Sequence, residues 1–368
     1  MQNVIWCTSC LNMSTRPRIT FNEKGQCNAC QWVEEKKSID WSVRNKELLD
    51  LLDLHRSKDK KNFDVIVPVS GGKDGSYVAY QLKHKYGMNP LCITIRPALE
   101  SDLGKQNLNN FINSGFDHMH ISPDSGTMKK LNKVGFIEMG FPYFGWLCAI
   151  SSAVPRIAAK LGINLIFYGE DGEVEYGGSS LTKNEPIYST AYQKNIYLEN
   201  GYEFIENSGV ERSQLYWYTF PDDKEAKKIS MTHWSYFENW DSYRNYLIAK
   251  EHCGLLENSE ANTATFTNFS QNDQALYHLH AYLMYLKFGF GRATQDAGIE
   301  IRRGAMTRDQ AKSLVQVYQY HLPDDLIPEY LDYYVMDLDE FNAVLAKWVN
   351  KDLFEIKNGK WSQKFSIV

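Results

Sequence analysis

The run Val65-Ile66-Val67-Pro68-Val69-Ser70-Gly71-Gly72-Lys73-Asp74-Gly75-Ser76 constrains this chain more than any other segment. A β-rich stretch, Val65 to Val69, feeds a Ser-Gly-Gly turn, and a helix-compatible stretch from Lys73 to Lys85 follows. Backbone N–H groups in such a turn can face an anion, and the N-terminus of the following helix adds a favourable dipole. Gly71 and Gly72 let the main chain come close without a Cβ in the way. Lys73 and the hydroxyls of Ser70 and Ser76 add charge and donors. An ordinary strand–turn–helix corner shares this outline. Several specified positions directly after a buried-type strand favour a phosphate cradle. It is not a Walker loop, because the G-x-x-x-x-G-K-[ST] spacing is absent.

The segment opens a βα alternation. Strand-like runs lie at 64–69, 91–95, 117–121 and 164–168, with helix-like stretches near 74–86, 103–114 and 146–161. Apolar strands alternating with helices predict an α/β fold, a doubly wound parallel sheet covered on both faces. A ligand is then expected at the carboxyl ends of the strands. Ser70–Gly72, Arg96 in Ile95-Arg96-Pro97, and Gly169 in the segment 168–172 all fall there.

Seven cysteines are an odd number, and four sit in two tight pairs: Cys7 and Cys10, then sixteen residues, then Cys27 and Cys30. This argues for a metal site in a reducing compartment rather than a disulfide scaffold. Four thiolates at this spacing form a closed, structural Zn²⁺ site, which would replace the core that so short a segment cannot build. An iron–sulfur cluster or redox pairs are the other readings. Cys92 lies in a buried-type strand and reads as core.

With 368 residues and 43% hydrophobic content, the chain can build two domains and a small module. The expected division is a four-cysteine module at 1–34, a helical linker at 35–61, and a nucleotide-binding core at 62–180. An inserted substrate or lid region at 181–260 and a mostly helical region at 261–368 complete it. A net charge of −5 gives no global field favouring nucleic acid. No apolar run approaches the roughly 18 residues needed to span a bilayer, and no signal-peptide pattern is visible, so a cytoplasmic protein is expected.

Two further motifs carry charge. Residues 169–178 place Glu170, Asp171, Glu173 and Glu175 between glycines after a strand. Hard oxygen ligands there suit Mg²⁺, which keeps water and substrate phosphates as its other ligands; a solvated acidic loop is the alternative. Residues 287–304 concentrate Lys287, Arg292, Arg302 and Arg303 near glycines. Such cations suit a leaving pyrophosphate, although a solvated basic face has the same composition.

The Ser70–Ser76 turn resembles the S-G-G-x-D-[SG] signature of PP-loop (HUP-like) ATP pyrophosphatases, with Gly75 where many members have Ser. Residues 169–178 look like the G-E-G-x-D-E-x-x-G-G loop of asparagine-synthetase-type members. Asp171 replaces a glycine there, Glu173 replaces an Asp, and Val174 stands where the last acid would be. Together with the four-cysteine knuckle, W-D-S-Y-R-N-Y at 240–246 and K-F-G-F-G-R-A-T with I-R-x-G-x-M-T-R at 287–308, the set resembles the N-acetyl sugar amidotransferases of the WbpG/PseA type. These act in surface-polysaccharide and flagellar-sugar biosynthesis.

The resemblance implies conversion of a sugar N-acetyl group to an acetamidino group through an O-adenylyl intermediate, releasing AMP and pyrophosphate. It implies that Ser70, Gly71, Gly72, Lys73, Asp74, Gly75, Ser76, Arg96 and Gly169 bind ATP, and that Asp74, Glu170 and Glu173 bind Mg²⁺. Lys73, Asp74, Lys287 and Arg292 would act catalytically, although Asp74 also suits a helix cap. The substrate would be an N-acetylated nucleotide sugar. No cysteine follows Met1 directly and no domain-sized block is spare, so ammonia would come from a HisH-like glutaminase through a HisF-like channel subunit. A tRNA-thiolating PP-loop enzyme is the main alternative and would need Cys148 as its sulfur carrier. An asparagine-synthetase-like amide former and a non-enzymatic nucleotide-sensing or zinc-ribbon module are the others.

Overall fold

The computed structural model describes residues 4–58, 61–199, 201–319, 321–357 and 359–367. Its centre is a five-stranded parallel sheet of β1 (Val65–Pro68), β2 (Pro90–Ile95), β3 (Asp117–Ile121), β4 (Leu165–Tyr168) and β5 (Ser230–His233), in the order β3-β2-β1-β4-β5. Register is set by pairs such as Val65 with Pro90, Ile66 with Ile166, and Phe167 with Thr232.

Alternate side chains of each strand enter different cores, as a sheet covered on both faces requires. Ile66, Leu91, Ile93 and Ile166 join one apolar cluster. Val65, Val67, Cys92, Leu165 and Phe167 join the other. The first face is covered by α5 (Ser125–Met139) and α6 (Phe144–Leu161), together with helices from the C-terminal region. The second is covered by α2 (Trp41–His55), α3 (Lys73–Tyr80) and α4 (Asp102–Asn113), which follow α1 (Asn28–Lys36) of the cysteine module. The chain is therefore a doubly wound α/β protein, as the sequence pattern predicts.

Two elements escape that pattern. Helix α5 was not expected, and β5 comes from the region expected as an insertion; it pairs with β4 at the sheet edge. That region also supplies α8 (Ser242–Cys253), which packs on α3; it follows α7 (Gly172–Tyr176). Asp241 caps α8, accepting from the N–H groups of Tyr243 and Arg244 at 3.0 and 3.1 Å.

The C-terminal region is helical: α9 (Leu276–Phe288), α10 (Arg292–Arg302), α11 (Arg308–Tyr318), α12 (Ile327–Tyr334) and α13 (Leu338–Trp348). A hairpin of β6 (Phe354–Lys357) and β7 (Lys360–Gln363) follows. Thr307 and Gln310 form a reciprocal capping box at α11. Among the described residues, no helix is long and apolar enough to cross a membrane.

Candidate active site

Strand β1 lies between β2 and β4, and their outgoing chains part to opposite sides, which opens a crevice at the carboxyl end of β1. The turn after β1 sits in it. Gly71 has φ +81°, and a Cβ there would meet the Leu108 backbone N at 2.4 Å, so no other residue fits this bend. Gly72 caps α3 without a side chain, which leaves the first-turn N–H groups of that helix for a ligand.

A cavity of about 330 Å³ opens over this turn. Ser70, Gly72, Lys73, Asp74 and Gly75 line one side, and Glu170, Tyr143, Asp273, Tyr277 and Arg292 line the rest. Lys73 donates to Asp74. Burial opposes the charge on Lys73, but the carboxylates of Asp74 and Glu170 outweigh it and hold the ammonium pKa above its ordinary value. Burial and the nearby Asp74 raise the Glu170 pKa, while Lys73 and a 2.8 Å hydrogen bond from Tyr176 Oη oppose the rise. Arg292 is held charged against burial by Asp296 at 2.8 Å.

A second, apolar cavity of about 190 Å³ adjoins the first. Val69, Ile93, Ile95, Pro97 and Trp146 form its walls, and Ser70, Asp273 and Tyr277 belong to both cavities. A polar cradle beside a flat apolar slot suits a phosphate-bearing nucleotide.

The expected residues divide. Ser70, Gly72, Lys73, Asp74, Gly75, Glu170 and Arg292 converge on the cleft, and Gly169 abuts Asp74 and Trp240 beside it. Ser76 does not line the cleft: it is fully buried, one step further into α3, with its carbonyl 3.9 Å from Cys253 Sγ of α8. Arg96 turns to solvent 3.6 Å from Glu100. Glu173 points away, bound by Arg18 Nε and Nη2 at 2.8 Å each and by the Ser179 N–H. Lys287 lies outside the cleft, in a different cavity, and donates to the Met139 carbonyl at 2.8 Å. Cys148 is fully buried in α6, where burial holds its thiol protonated.

Sequence reasoning missed several residues. Asn245, inside the W-D-S-Y-R-N-Y motif, reaches Asp74 at 3.4 Å. Asp273, Tyr143, Tyr176 and Tyr277 carried no motif signal. Asp273 stands out: burial pushes its carboxyl up to about 6, with hydrogen bonds from Ser70 and Tyr277 pulling the other way. For Mg²⁺, the two carboxylates that converge are Asp74 and Glu170. One or two carboxylates with substrate phosphate and water is the ligand set this ion takes.

The four cysteines lie buried with their sulfurs within 4.8 Å of one another. Cys7–Cys30 and Cys10–Cys27 are 3.8 and 3.7 Å apart. A tetrahedron with 2.3 Å metal–sulfur bonds has edges of about 3.8 Å, so the set fits Zn²⁺. N–H groups of Cys10, Asn12 and Cys27 point at the sulfurs, as a charged tetrathiolate requires.

This module grips the acidic loop. Asn12 Nδ2 reaches the Tyr176 carbonyl at 3.1 Å and Cys27 Sγ at 3.3 Å, and Asn28 Nδ2 reaches the Gly178 carbonyl at 2.6 Å. Trp32 and Lys36 both donate to the Glu175 carboxylate, at 2.9 and 2.8 Å. Gly177 has φ +93°, and a Cβ there would meet Asn12 at 2.9 Å. The acids beyond Glu170 thus anchor the loop, and Glu170 is the acid it turns to the cleft.

Residues 263–366 match the family model for the C-terminal domain of LPS biosynthesis proteins that are WbpG-like. The C-terminal region is WbpG-like. No curated protein matches the chain. Among solved structures, a predicted subunit of a tRNA methyltransferase from Methanocaldococcus jannaschii is 16% identical, covering 63% of this chain and 92% of its own. Its TM-score of 0.29 is too low to bear on fold or function. The WbpG-like region supplies Asp273, Tyr277 and Arg292 to the cleft. It also holds the cysteine module: Arg308 donates to the Cys10 and Cys7 carbonyls at 3.1 and 3.3 Å, and Arg302 approaches Cys10 Sγ at 3.7 Å.

Proposed function

We propose that the protein is an ATP-dependent, AMP-forming amidotransferase that converts an N-acetyl group of a sugar to an acetamidino group. The observation that carries this reading is the convergence of the Ser70–Gly75 turn, Lys73, Asp74, Glu170 and Arg292 on one cavity beside an apolar slot. The WbpG-like C-terminal domain supports a sugar of surface polysaccharide as the acceptor.

An amide oxygen is a poor leaving group, so it must be activated. The acetamido oxygen attacks the α-phosphorus of ATP, the bond to the β-phosphate oxygen breaks, and pyrophosphate leaves. Lys73, Arg292 and the N–H groups at the start of α3 stabilise the charge that develops on the phosphates. Mg²⁺, held by Asp74 and Glu170, would neutralise the triphosphate. Tyr176 fixes the Glu170 carboxyl, and Asn245 fixes Asp74. Ammonia then adds to the activated carbon and AMP departs. Asp273, at the seam of the two cavities, accepts the proton that the incoming nitrogen sheds. The glutaminase and ammonia-channel partners belong to this proposal, since the cleft requires an ammonia source. The thiolating alternative is disfavoured because no cysteine lines the cleft among the described residues.

The test is turnover with ATP, Mg²⁺, ammonium salt and a panel of N-acetylated nucleotide sugars. Mass spectrometry should find a product about 1 Da lighter, from exchange of O for NH, with stoichiometric AMP and pyrophosphate. ADP as product, or no AMP with any acceptor, would refute the proposal.

A further inference from the structure

The base, ribose and phosphates of a nucleotide follow one another, so two adjoining cavities fix where each part goes. Phosphates belong over the Ser70–Gly75 turn, and the apolar slot of about 190 Å³ takes one flat base. The ribose then lies between them, at the residues lining both cavities: Ser70, Gly104, Asp273 and Tyr277. Gly104, in the first turn of α4, is pressed against Asp273: a Cβ there would meet the Asp273 Cα at 2.5 Å. Glu100 directly precedes the cap of that helix, Ser101, and an isolated bridge joins it to Gln274, the neighbour of Asp273. Burial is the main cause that lifts the Asp273 carboxyl, and the charge of Glu100 adds to it, so the two carboxyls lie near one another.

The polar side chains around the slot have partners, with one exception. Thr94 Oγ1 donates to the Val69 carbonyl at 2.6 Å. Trp146 Nε1 donates to the Ile95 carbonyl at 3.0 Å, which fixes its ring as a wall. Ser70 and Tyr277 bond to Asp273. Glu100 also lines the slot, with its side chain only 11% exposed. Its carboxylate accepts no hydrogen bond among the described residues. Arg96, itself 55% exposed, balances its charge, but the Arg96 Nε stops at 3.6 Å, beyond hydrogen-bond distance. Charge is therefore met and hydrogen bonding is not. A carboxylate has about four lone-pair directions, and withdrawing them from water without donors is costly. A ligand bringing hydroxyl donors to this lip would fill them; a phosphate would not.

We propose that Glu100 reads the ribose of the nucleotide, accepting from its 2′- and 3′-hydroxyls, and so selects a ribonucleoside triphosphate over its deoxy forms. A vicinal diol offers two donors to one carboxylate, and acidic side chains meet ribose hydroxyls in this way in dinucleotide-binding folds. Asp273 is already engaged by Ser70 and Tyr277. An amino group on the base is the other donor that a nucleotide carries. The walls that would face the base are apolar, Ile93, Ile150 and Val154 among them, whereas Glu100 stands beside the seam. This role rests on the proposed function only in placing a nucleotide in the cleft; the acceptor and ammonia steps are not needed for it.

The test is calorimetric titration of the full-length, zinc-loaded protein with Mg²⁺ and no acceptor sugar. The probes are ATP, 2′-deoxy-ATP, 3′-deoxy-ATP and purine riboside triphosphate, which lacks the 6-amino group. The parent should bind ATP about tenfold or more tightly than at least one deoxy form, because a hydrogen bond to a charged group is lost. Glu100→Ala should erase that ratio and leave the ratio of ATP to purine riboside triphosphate unchanged. Glu100→Gln should keep part of it, since the amide oxygen still accepts. The ratio is diagnostic because a change in packing alone weakens all four probes alike. Equal binding of ATP and both deoxy forms by the parent, or an undiminished ratio in Glu100→Ala, overturns the proposal. So does a variant in which only the purine arm changes, which would assign Glu100 to the base. If Glu100→Ala does not fold, the parent ratio and Glu100→Gln still decide. A parent that binds no nucleotide refutes the nucleotide reading of the cleft and this proposal together. Ribose-selective binding without AMP formation upholds Glu100 and refutes the amidotransferase reading, so the two failures are distinct.

Discussion

Asp273 offers a sharp test because function and stability pull on it in opposite directions. Its carboxyl is raised from an ordinary 3.8 to about 6, with burial as the largest cause. An acid that binds its proton more tightly when folded than when unfolded makes folding less favourable as the pH rises through the interval. Below pH 4 both states are protonated and nothing is lost. Between about pH 4 and 6 the unfolded chain has released its proton and the native one has not, so stability falls by about 1.4 kcal/mol per pH step. Above about 6 the loss is complete, near 3 kcal/mol before any relief from residual solvent contact, so 1–3 kcal/mol is expected.

Asp273→Asn removes this titration while keeping an acceptor oxygen for Ser70 and Tyr277. Urea unfolding of both proteins at pH 4 and pH 7.5 measures the effect. The difference between the two pH values, not the absolute change, is diagnostic, because it cancels any packing effect of the amide. The variant should gain about 1–3 kcal/mol over the parent on going from pH 4 to 7.5. It should also lose turnover if Asp273 accepts the ammonia proton, and parental turnover should rise with pH through about 6. A pH-independent stability difference would show that the carboxyl is not held against its charge. A fully active variant would remove it from the chemistry.

Other residues of the cleft make independent predictions. Lys73→Ala withdraws the cation aimed at the developing phosphate charge and should cut AMP release about 100-fold or more, read by chromatography of the reaction; normal release would exclude Lys73 from the mechanism. Gly71→Ala places a Cβ 2.4 Å from the Leu108 backbone at φ +81°, which should cost about 2–4 kcal/mol in unfolding from left-handed strain and overpacking together. Stripping Zn²⁺ with a chelator should unfold the cysteine module and, through Asn12, Asn28 and Trp32, speed amide hydrogen exchange across 170–178; protection that survives metal loss would mean the loop stands without its brace.

The central strands were legible because buried parallel strands need near-continuous apolar runs, and Val65–Val69 and Leu91–Ile95 supply them. Strand β5 was not, because Ser230-Met231-Thr232-His233 is short and half polar, and the pairing with β4 that makes it a strand is remote in sequence. Helix α5 was missed because Gly126 and Gly135 weaken its propensity, while its apolar residues Leu131 and Phe136 find partners only in tertiary packing. Direction was harder to read than position. Glu170 and Glu173 are three residues apart, yet the turn of α7 sends the second to Arg18. Lys287 and Arg292 are five apart, yet after the bend at Gly289 they line different cavities. Asp273 was invisible because it sits in a Ser-Gln-Asn-Asp stretch that reads as an ordinary loop.

The same distinction bears on the cysteine module. Its spacing predicts a metal site, and a metal site in a short segment suggests a part that could be removed. The contacts argue otherwise. The module sends Arg18 to the Glu173 carboxylate, takes the Glu175 carboxylate of the acidic loop on Trp32 and Lys36, and is itself clamped by Arg308 of the WbpG-like region. The Arg18–Glu173 pair has its carboxylate largely buried, so withdrawing Arg18 leaves a charge in the loop without its partner. Truncating the first 34 residues would remove Arg18 and Trp32 and so strand the Glu173 carboxylate of the acidic loop. Metal binding and the posture of Glu170 are thus coupled through one set of side chains.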